Sequence, residues 1–273
     1  MDRIKLSREL SSIENGETDG LVGEGPIIAI TGPPGIGKSC LIDKILFELA
    51  PKMKVAVLAV DPTSPVSGGA LLGDRIRFNV LDDNERAESI YIRSIATRSS
   101  GGSIPLIVQD LSSHLLANDF DLVIIETVGA GQSEIRCAAV AERIIVVEGP
   151  ARGDSIQAEK AGLLELADLI IVNKSDLEGS EKVFNDLTIS LTLSDDPPNI
   201  VRTSALSGEG VKEVANLMLN LEARESSSRA RARQKLLMAH ESKIVTNPKF
   251  ELILDRISQE GLSIQDALRE LNE

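Results

Sequence analysis

Ile27-Ile28-Ala29-Ile30-Thr31-Gly32-Pro33-Pro34-Gly35-Ile36-Gly37-Lys38-Ser39 decides the reading of this chain. An apolar five-residue run, a glycine-rich turn ending in Gly-Lys-Ser and, past Cys40, the helical pattern Leu41-Ile42-Asp43-Lys44-Ile45-Leu46-Phe47-Glu48-Leu49 follow one another. This is G-x-x-x-x-G-K-[ST] with the strand before it and the helix after it that the motif requires. Glycines let backbone N–H groups wrap a phosphate, and the helix N-terminus adds positive potential. Lys38 reaches toward the β and γ phosphates, and the Ser39 hydroxyl is offered to Mg²⁺. The nucleotide-binding set from this stretch is Gly32, Pro33, Pro34, Gly35, Ile36, Gly37, Lys38, Ser39 and the adjoining Cys40.

Further apolar runs recur outward from this point: 55–60, 122–126, 143–148, 169–173 and 199–203, most of them separated by helical stretches. Runs buried on both faces and alternating with helices predict an α/β fold, a P-loop NTPase with a mostly parallel central sheet flanked by helices. Residues 89–93 (SIYIR) offer an added strand, at an edge or antiparallel. Three parts are expected: a short N-terminal helical extension over 1–25 with its helix at about 2–14, a P-loop GTPase domain over 26–221, and a C-terminal helical arm over 222–273. Residues 222–235 carry five basic and two acidic residues behind a triple serine, which reads as a hinge and an exposed helix. Short helices at about 248–259 and 264–271 follow, the second opened by Ser263 with Asp266 three residues on, a capping-box spacing.

The 169–173 run ends in Asn173-Lys174-Ser175-Asp176, the N-K-x-D pattern, at the strand edge where open α/β sheets bind ligands. A carboxylate at Asp176 accepts hydrogen bonds from guanine N1–H and its 2-amino group, which adenine does not offer, so the base is expected to be guanine. Ser204-Ala205-Leu206 after the next run complete the base-side set with Asn173 and Lys174. Acids at or near strand ends can hold Mg²⁺ directly or through water. Asp61, Asp74 and Glu126 are therefore the metal candidates beside Ser39, with Gly129 and Gly131 supplying the backbone freedom of a phosphate-sensing segment.

With 29 basic against 42 acidic residues the net charge is −13, which repels phosphate backbones and disfavours nucleic acid as a partner. Two cysteines and two histidines, scattered, give neither a disulfide framework nor a zinc cluster. No signal-peptide core or membrane-length apolar stretch is present, so no membrane partner and a cytoplasmic location are expected. Cys137 reads as a small core residue, and Arg229–Arg233 as the exposed face of a dimerisation helix.

The stretches TGPPGIGKS, AVLAVDPTSPVSGGALLGDRIR, ETVGAGQSE, GDSIQAEKAGLLELADLIIVNKSD and TSALSGEG together resemble the methylmalonyl-CoA mutase-associated GTPases, chaperones of adenosylcobalamin-dependent acyl-CoA mutases. Members have also been labelled arginine/ornithine transport ATPases or kinases. The resemblance implies a homodimeric, Mg²⁺-dependent GTPase, alternately GTP- and GDP-bound, that docks on an acyl-CoA mutase and gates its adenosylcobalamin. It makes Lys38, Asp61, Asp74 and Glu126 catalytic, adds Gln132 for ordering the attacking water, and places Lys160 on a third mobile segment that begins at Gly153-Asp154. Cys40 stands where the family commonly has threonine, Glu159 replaces an apolar residue beside Lys160, and the N-terminal helical region is shorter. Two other functions fit a P-loop with this base motif less well. Nickel-type metal insertion usually concentrates His and Cys near the nucleotide, and a transport-linked ATPase or kinase conflicts with Asp176.

Overall fold

Successive residues of a strand point to opposite faces of the sheet, and in this chain both faces are apolar. Ile27 and Ala29 enter one core with Leu58, Ile125, Ile144 and Ile170, while Ile28 and Ile30 enter the other with Val57, Ile124, Ile145 and Ile171. Each isoleucine, leucine or valine among them, when fully buried, contributes about 1.5–3 kcal/mol. Two-sided burial requires helices on both faces, which the crossovers between parallel strands provide. The computed structural model describes residues 2–61, 78–96, 107–127, 132–150, 158–192 and 194–272.

Among the described residues seven strands form one sheet: β1 (Ile27–Thr31), β2 (Val55–Asp61), β3 (Ile90–Ala96), β4 (Leu122–Glu126), β5 (Arg143–Glu148), β6 (Leu169–Val172) and β7 (Asn199–Arg202). Their spatial order is β3-β2-β4-β1-β5-β6-β7 and every pairing is parallel. The 89–93 run is thus an edge strand, and it pairs parallel to β2, Val55 standing opposite Ile90. With no strand reversed, all seven carboxyl ends lie along one edge, and β1 sits in the middle of it.

The first helix, α1 (Arg3–Glu14), is capped by Asp2, whose carboxylate accepts from the Ile4 and Lys5 N–H groups. Leu6, Leu10 and Ile13, spaced for one helical face, are buried in the same core as Val108, Leu111 and Leu115 of α4 (Ile107–Ala117). His114 of α4 is buried in this seam; its Nδ1 accepts from Leu21 N–H at 3.1 Å and its Nε2 lies 3.3 Å from Glu9. It is a structural histidine. The remaining helices are α2 (Lys38–Leu49), α3 (Asn84–Glu88), α5 (Gln132–Val140), α6 (Ala158–Leu166), α7 (Ser180–Leu191) and α8 (Val211–Leu219), with α9 (Ser228–Val245), α10 (Phe250–Asp255) and α11 (Ile264–Asn272) forming the C-terminal part. The Ser263 hydroxyl accepts from the Asp266 N–H at 3.2 Å and donates to the Asp266 carboxylate at 2.6 Å, as the expected cap at the start of α11 requires of its serine. Cys137 is fully buried in the core, as read from the sequence.

One expectation for the C-terminal part is corrected. The Arg229–Arg233 segment is not exposed throughout: Arg231 is 7% exposed, and its guanidinium is paired with the Asp168 carboxylate, which is wholly buried. A guanidinium with five donors can be buried when fixed acceptors surround it, and here they do.

Candidate functional site

The turn between β1 and α2 follows from close approach. Gly32 has φ 144°, and a Cβ there would run into the Val147 carbonyl oxygen of β5. Gly37, the residue before α2, has φ 96°, a left-handed conformation that side chains rarely adopt. Because Gly37 has no side chain to cap α2, the helix's first N–H groups are left to the turn. Lys38 is 7% exposed, and its ammonium donates to Gly32 O at 2.6 Å and Pro33 O at 3.0 Å, across the mouth of the same turn. The result is a glycine-bounded turn at a helix N-terminus with a lysine ammonium across its mouth, an arrangement that suits a phosphate.

Glu126 closes β4, directly opposite Ile30 of β1 and Ala59 of β2. The sheet register therefore brings it under the turn, where Ser39 Oγ donates to Glu126 Oε1 at 2.5 Å. A buried carboxylate and a hydroxyl, both hard oxygen donors, fit a small divalent cation such as Mg²⁺. The next residue, Thr127, donates through its hydroxyl to Thr31 Oγ1 at 2.7 Å, locking the ends of β4 and β1 together. Asp61 ends β2 two residues beyond Ala59, on the same edge. Gln132 opens α5 and Lys160 lies in the first turn of α6. Asp74, Gly129, Gly131, Gly153 and Asp154 lie outside the described residues.

The base-side residues converge from β6 and β7. Asn173, 1% exposed, donates from Nδ2 to Ile36 O at 2.9 Å and accepts at Oδ1 from Thr203 Oγ1 and Ala205 N–H, both at 3.1 Å. Lys174 has φ 62°, which swings its ammonium back to Gly35 O at 2.8 Å. Asp176 Oδ1 accepts from Ser204 Oγ at 2.5 Å. Ser175 Oγ donates to Glu209 at 3.2 Å, and the Ser204 N–H bonds to Glu209 O at 3.0 Å, closing the turn that holds Ser204, Ala205 and the exposed Leu206. Cys40 is exposed, with Sγ 4.0 Å from Ala205 O. The phosphate turn is thus bonded to Glu126 on one side and, through Asn173 and Lys174, to the base-side residues that include Asp176, Ser204 and Ala205 on the other.

Sequence reasoning missed Thr127, Glu209 and Asp43. Asp43, on α2 and 1% exposed, accepts from Val80 N–H at 2.9 Å and Asn79 Nδ2 at 3.1 Å, fixing the chain just before α3. Its position four residues after Ser39 is the one available signal, since that spacing stacks both on one face of the helix.

A parallel sheet whose central strand runs into a glycine-rich phosphate turn, with N-K-x-D on the same edge, defines a P-loop nucleotide hydrolase of the guanine-selective kind. The model of the methylmalonyl-CoA mutase-associated GTPase family MeaB matches residues 17–260, and the chain belongs to that family. It is a GTPase. A putative GTPase of Pyrococcus abyssi is 34% identical, over 96% of this chain and 89% of its own length. The fused isobutyryl-CoA mutase of Cupriavidus metallidurans is 34% identical over 68% of this chain, a stretch covering 18% of that longer protein. Among solved structures, a LAO/AO transport system kinase covers all of this chain at a TM-score of 0.60 and 22% identity, a likeness of fold. Among the described residues no helix is long and apolar enough to cross a membrane, and no three His, Cys, Asp or Glu side chains gather into a metal site.

Proposed function

We propose that this GTPase gates the loading of adenosylcobalamin onto an acyl-CoA mutase such as methylmalonyl-CoA mutase, and protects that enzyme. The observation that carries this reading is the fused relative, in which a stretch similar to this chain makes up 18% of a protein named as a mutase. Two activities joined in one polypeptide act on each other at high effective concentration, and the same contact between separate chains is the simplest counterpart.

In this reading the backbone donors of Gly32 to Ser39 cradle the phosphates, and Lys38 exchanges the Gly32 and Pro33 carbonyls for phosphate oxygens. Ser39, Glu126, Asp61 and Asp74 hold Mg²⁺, which when bound neutralises charge developing on the phosphates. Asp176, oriented by Ser204, accepts from the guanine edge, while Asn173, Lys174, Ala205 and Leu206 shape the base pocket beside Cys40. Gln132 orders the attacking water. Lys160 adds positive charge to the transition state when the mutase is bound. The GTPase domain spans 26–221, flanked by the 1–25 extension and the 222–273 arm. Exposed Leu236, Leu237 and Leu252 on that arm support its use in a homodimer.

The test is GTP turnover by the purified protein alone and with an adenosylcobalamin-dependent acyl-CoA mutase, with ATP as the control substrate. Stimulation confined to GTP is the expected outcome. Gating also requires that GTP- and GDP-bound forms differ in affinity for the mutase, so equal affinities would sink it.

A further inference from the structure

Arg231, near the start of α9, makes four sets of contacts with one guanidinium. Its Nη1 donates to Glu142 O at 2.6 Å, two residues beyond the end of α5, and its Nη2 donates to Leu166 O at 3.0 Å, the last residue of α6. Nε donates to Ser227 Oγ at 2.8 Å, and Nη2 is also paired with Asp168. Asp168 is itself fixed from three sides, accepting from Ile144 N–H of β5 at 2.7 Å and Arg224 N–H at 2.8 Å as well as from Arg231. Arg224 adds a second hold on α6, donating to Glu165 O at 2.8 Å. Carbonyls at a helix C-terminus carry the negative end of its dipole, so two guanidiniums placed there hold the helix end by charge as well as by hydrogen bonds.

α6, held at its own last carbonyls, carries Lys160 in its first turn, and α5, whose following turn is held at Glu142, carries Gln132 in its first turn. Each helix is nine residues long, so fixing the trailing end also fixes the direction in which the leading end points. α9 reinforces the hold further along: Arg136 of α5 pairs with Glu241 at 2.7 Å, and Met238 is buried in the same core as Cys137 of α5.

We propose that Arg231 is a positioning residue for GTP turnover: it joins the trailing ends of α5 and α6 to the root of the C-terminal arm, so that a load on the arm changes how Gln132 and Lys160 are presented. The inference rests on the roles given to those two residues under the proposed function.

The experiment compares Arg231→Met, Arg231→Lys and Arg224→Met with Arg93→Met in the full-length protein. Arg93 pairs with Glu14 at 2.6 Å on α1, so its loss removes another largely buried ion pair, its side chains 15% and 13% exposed, away from α5 and α6. Amide hydrogen exchange and mutase-stimulated kcat and KM for GTP are read together. Arg231→Met is expected to speed exchange in both α5 and α6 and to lower kcat about fivefold with little change in KM, with partial recovery in Arg231→Lys. Arg224→Met should loosen α6 alone, and decides the matter if Arg231→Met does not fold. Arg93→Met should lower the melting temperature with neither effect. Unchanged exchange in α5 and α6, or faster exchange with unchanged kcat, overturns the proposal. Lys160→Ala run alongside separates the two failures: if it slows stimulated turnover while Arg231→Met does not, only the arm coupling falls.

Discussion

Asn173 reaches from the end of β6 to the phosphate turn and donates its side-chain amide to Ile36 O at 2.9 Å, joining the base side of the site to the phosphate side. Its other side-chain atom accepts from Thr203 and Ala205. Asn173→Ala would leave a carbonyl, a hydroxyl and an amide without this partner, costing about 3 kcal/mol where the groups stay buried. It should lower GTP affinity without changing preference for guanine over adenine. Titration with GTP and ATP, beside thermal unfolding, checks both; a switch in base preference would mean that Asn173 reads the base directly.

Asp176→Asn replaces an acceptor pair with a mixed amide. GTP binding should weaken about a hundredfold through loss of charge-assisted hydrogen bonds. Xanthosine triphosphate should bind better, since its 2-oxo group accepts where guanine donates. An unaltered ratio of the two affinities removes Asp176 from the base site.

Lys38→Ala should abolish nucleotide binding, measured with a fluorescent GTP analogue, while leaving the sheet intact. Lys160→Ala should spare intrinsic hydrolysis and cut mutase-stimulated turnover by about tenfold or more, as removal of a mobile cationic finger does. Equal slowing of the isolated Lys160→Ala protein would disprove the partner-dependent role.

Gly32→Ala forces a methyl group against the Val147 carbonyl of β5 at a φ of 144°. Neither backbone can yield without breaking a strand pairing, so the turn must change shape. The expected outcome is loss of GTP binding with a lower melting temperature, whereas Gly35→Ala, where a Cβ meets open space, should be milder despite its positive φ. Equal effects of the two would show that backbone conformation, and not the approach to Val147, governs the turn.

What the sequence made legible was what is local. The phosphate turn, N-K-x-D and the strand-end Glu126 are short motifs with their structural context beside them, and each lies on the predicted edge of the sheet. Two-sided burial of the strands was readable from unbroken Ile, Val and Leu runs, although the parallel pairing of 89–93 was not, since an edge run of five residues suits either direction. Arg231 was misread because its partners are distant: Asp168 lies 63 residues away and Glu142 lies 89. In a segment rich in arginine and serine, nothing nearby distinguishes a buried guanidinium from a solvated one. The same distance hid the stitching role of Asn173, whose Ile36 partner is 137 residues earlier.

The position of β1 in the sheet bears on how the chain is made. It emerges first of the seven strands, yet its neighbours are β4 and β5, which begin at residues 122 and 143. On the ribosome, Ile27 to Ile30 must wait with unpaired backbone until β4, which ends at residue 126, has been made, and one edge stays open until β5 follows. Over that interval a hydrophobic strand is open to the wrong neighbour. Early and late stalls in translation should therefore yield aggregation-prone and protease-resistant nascent chains respectively, with the changeover after residue 148.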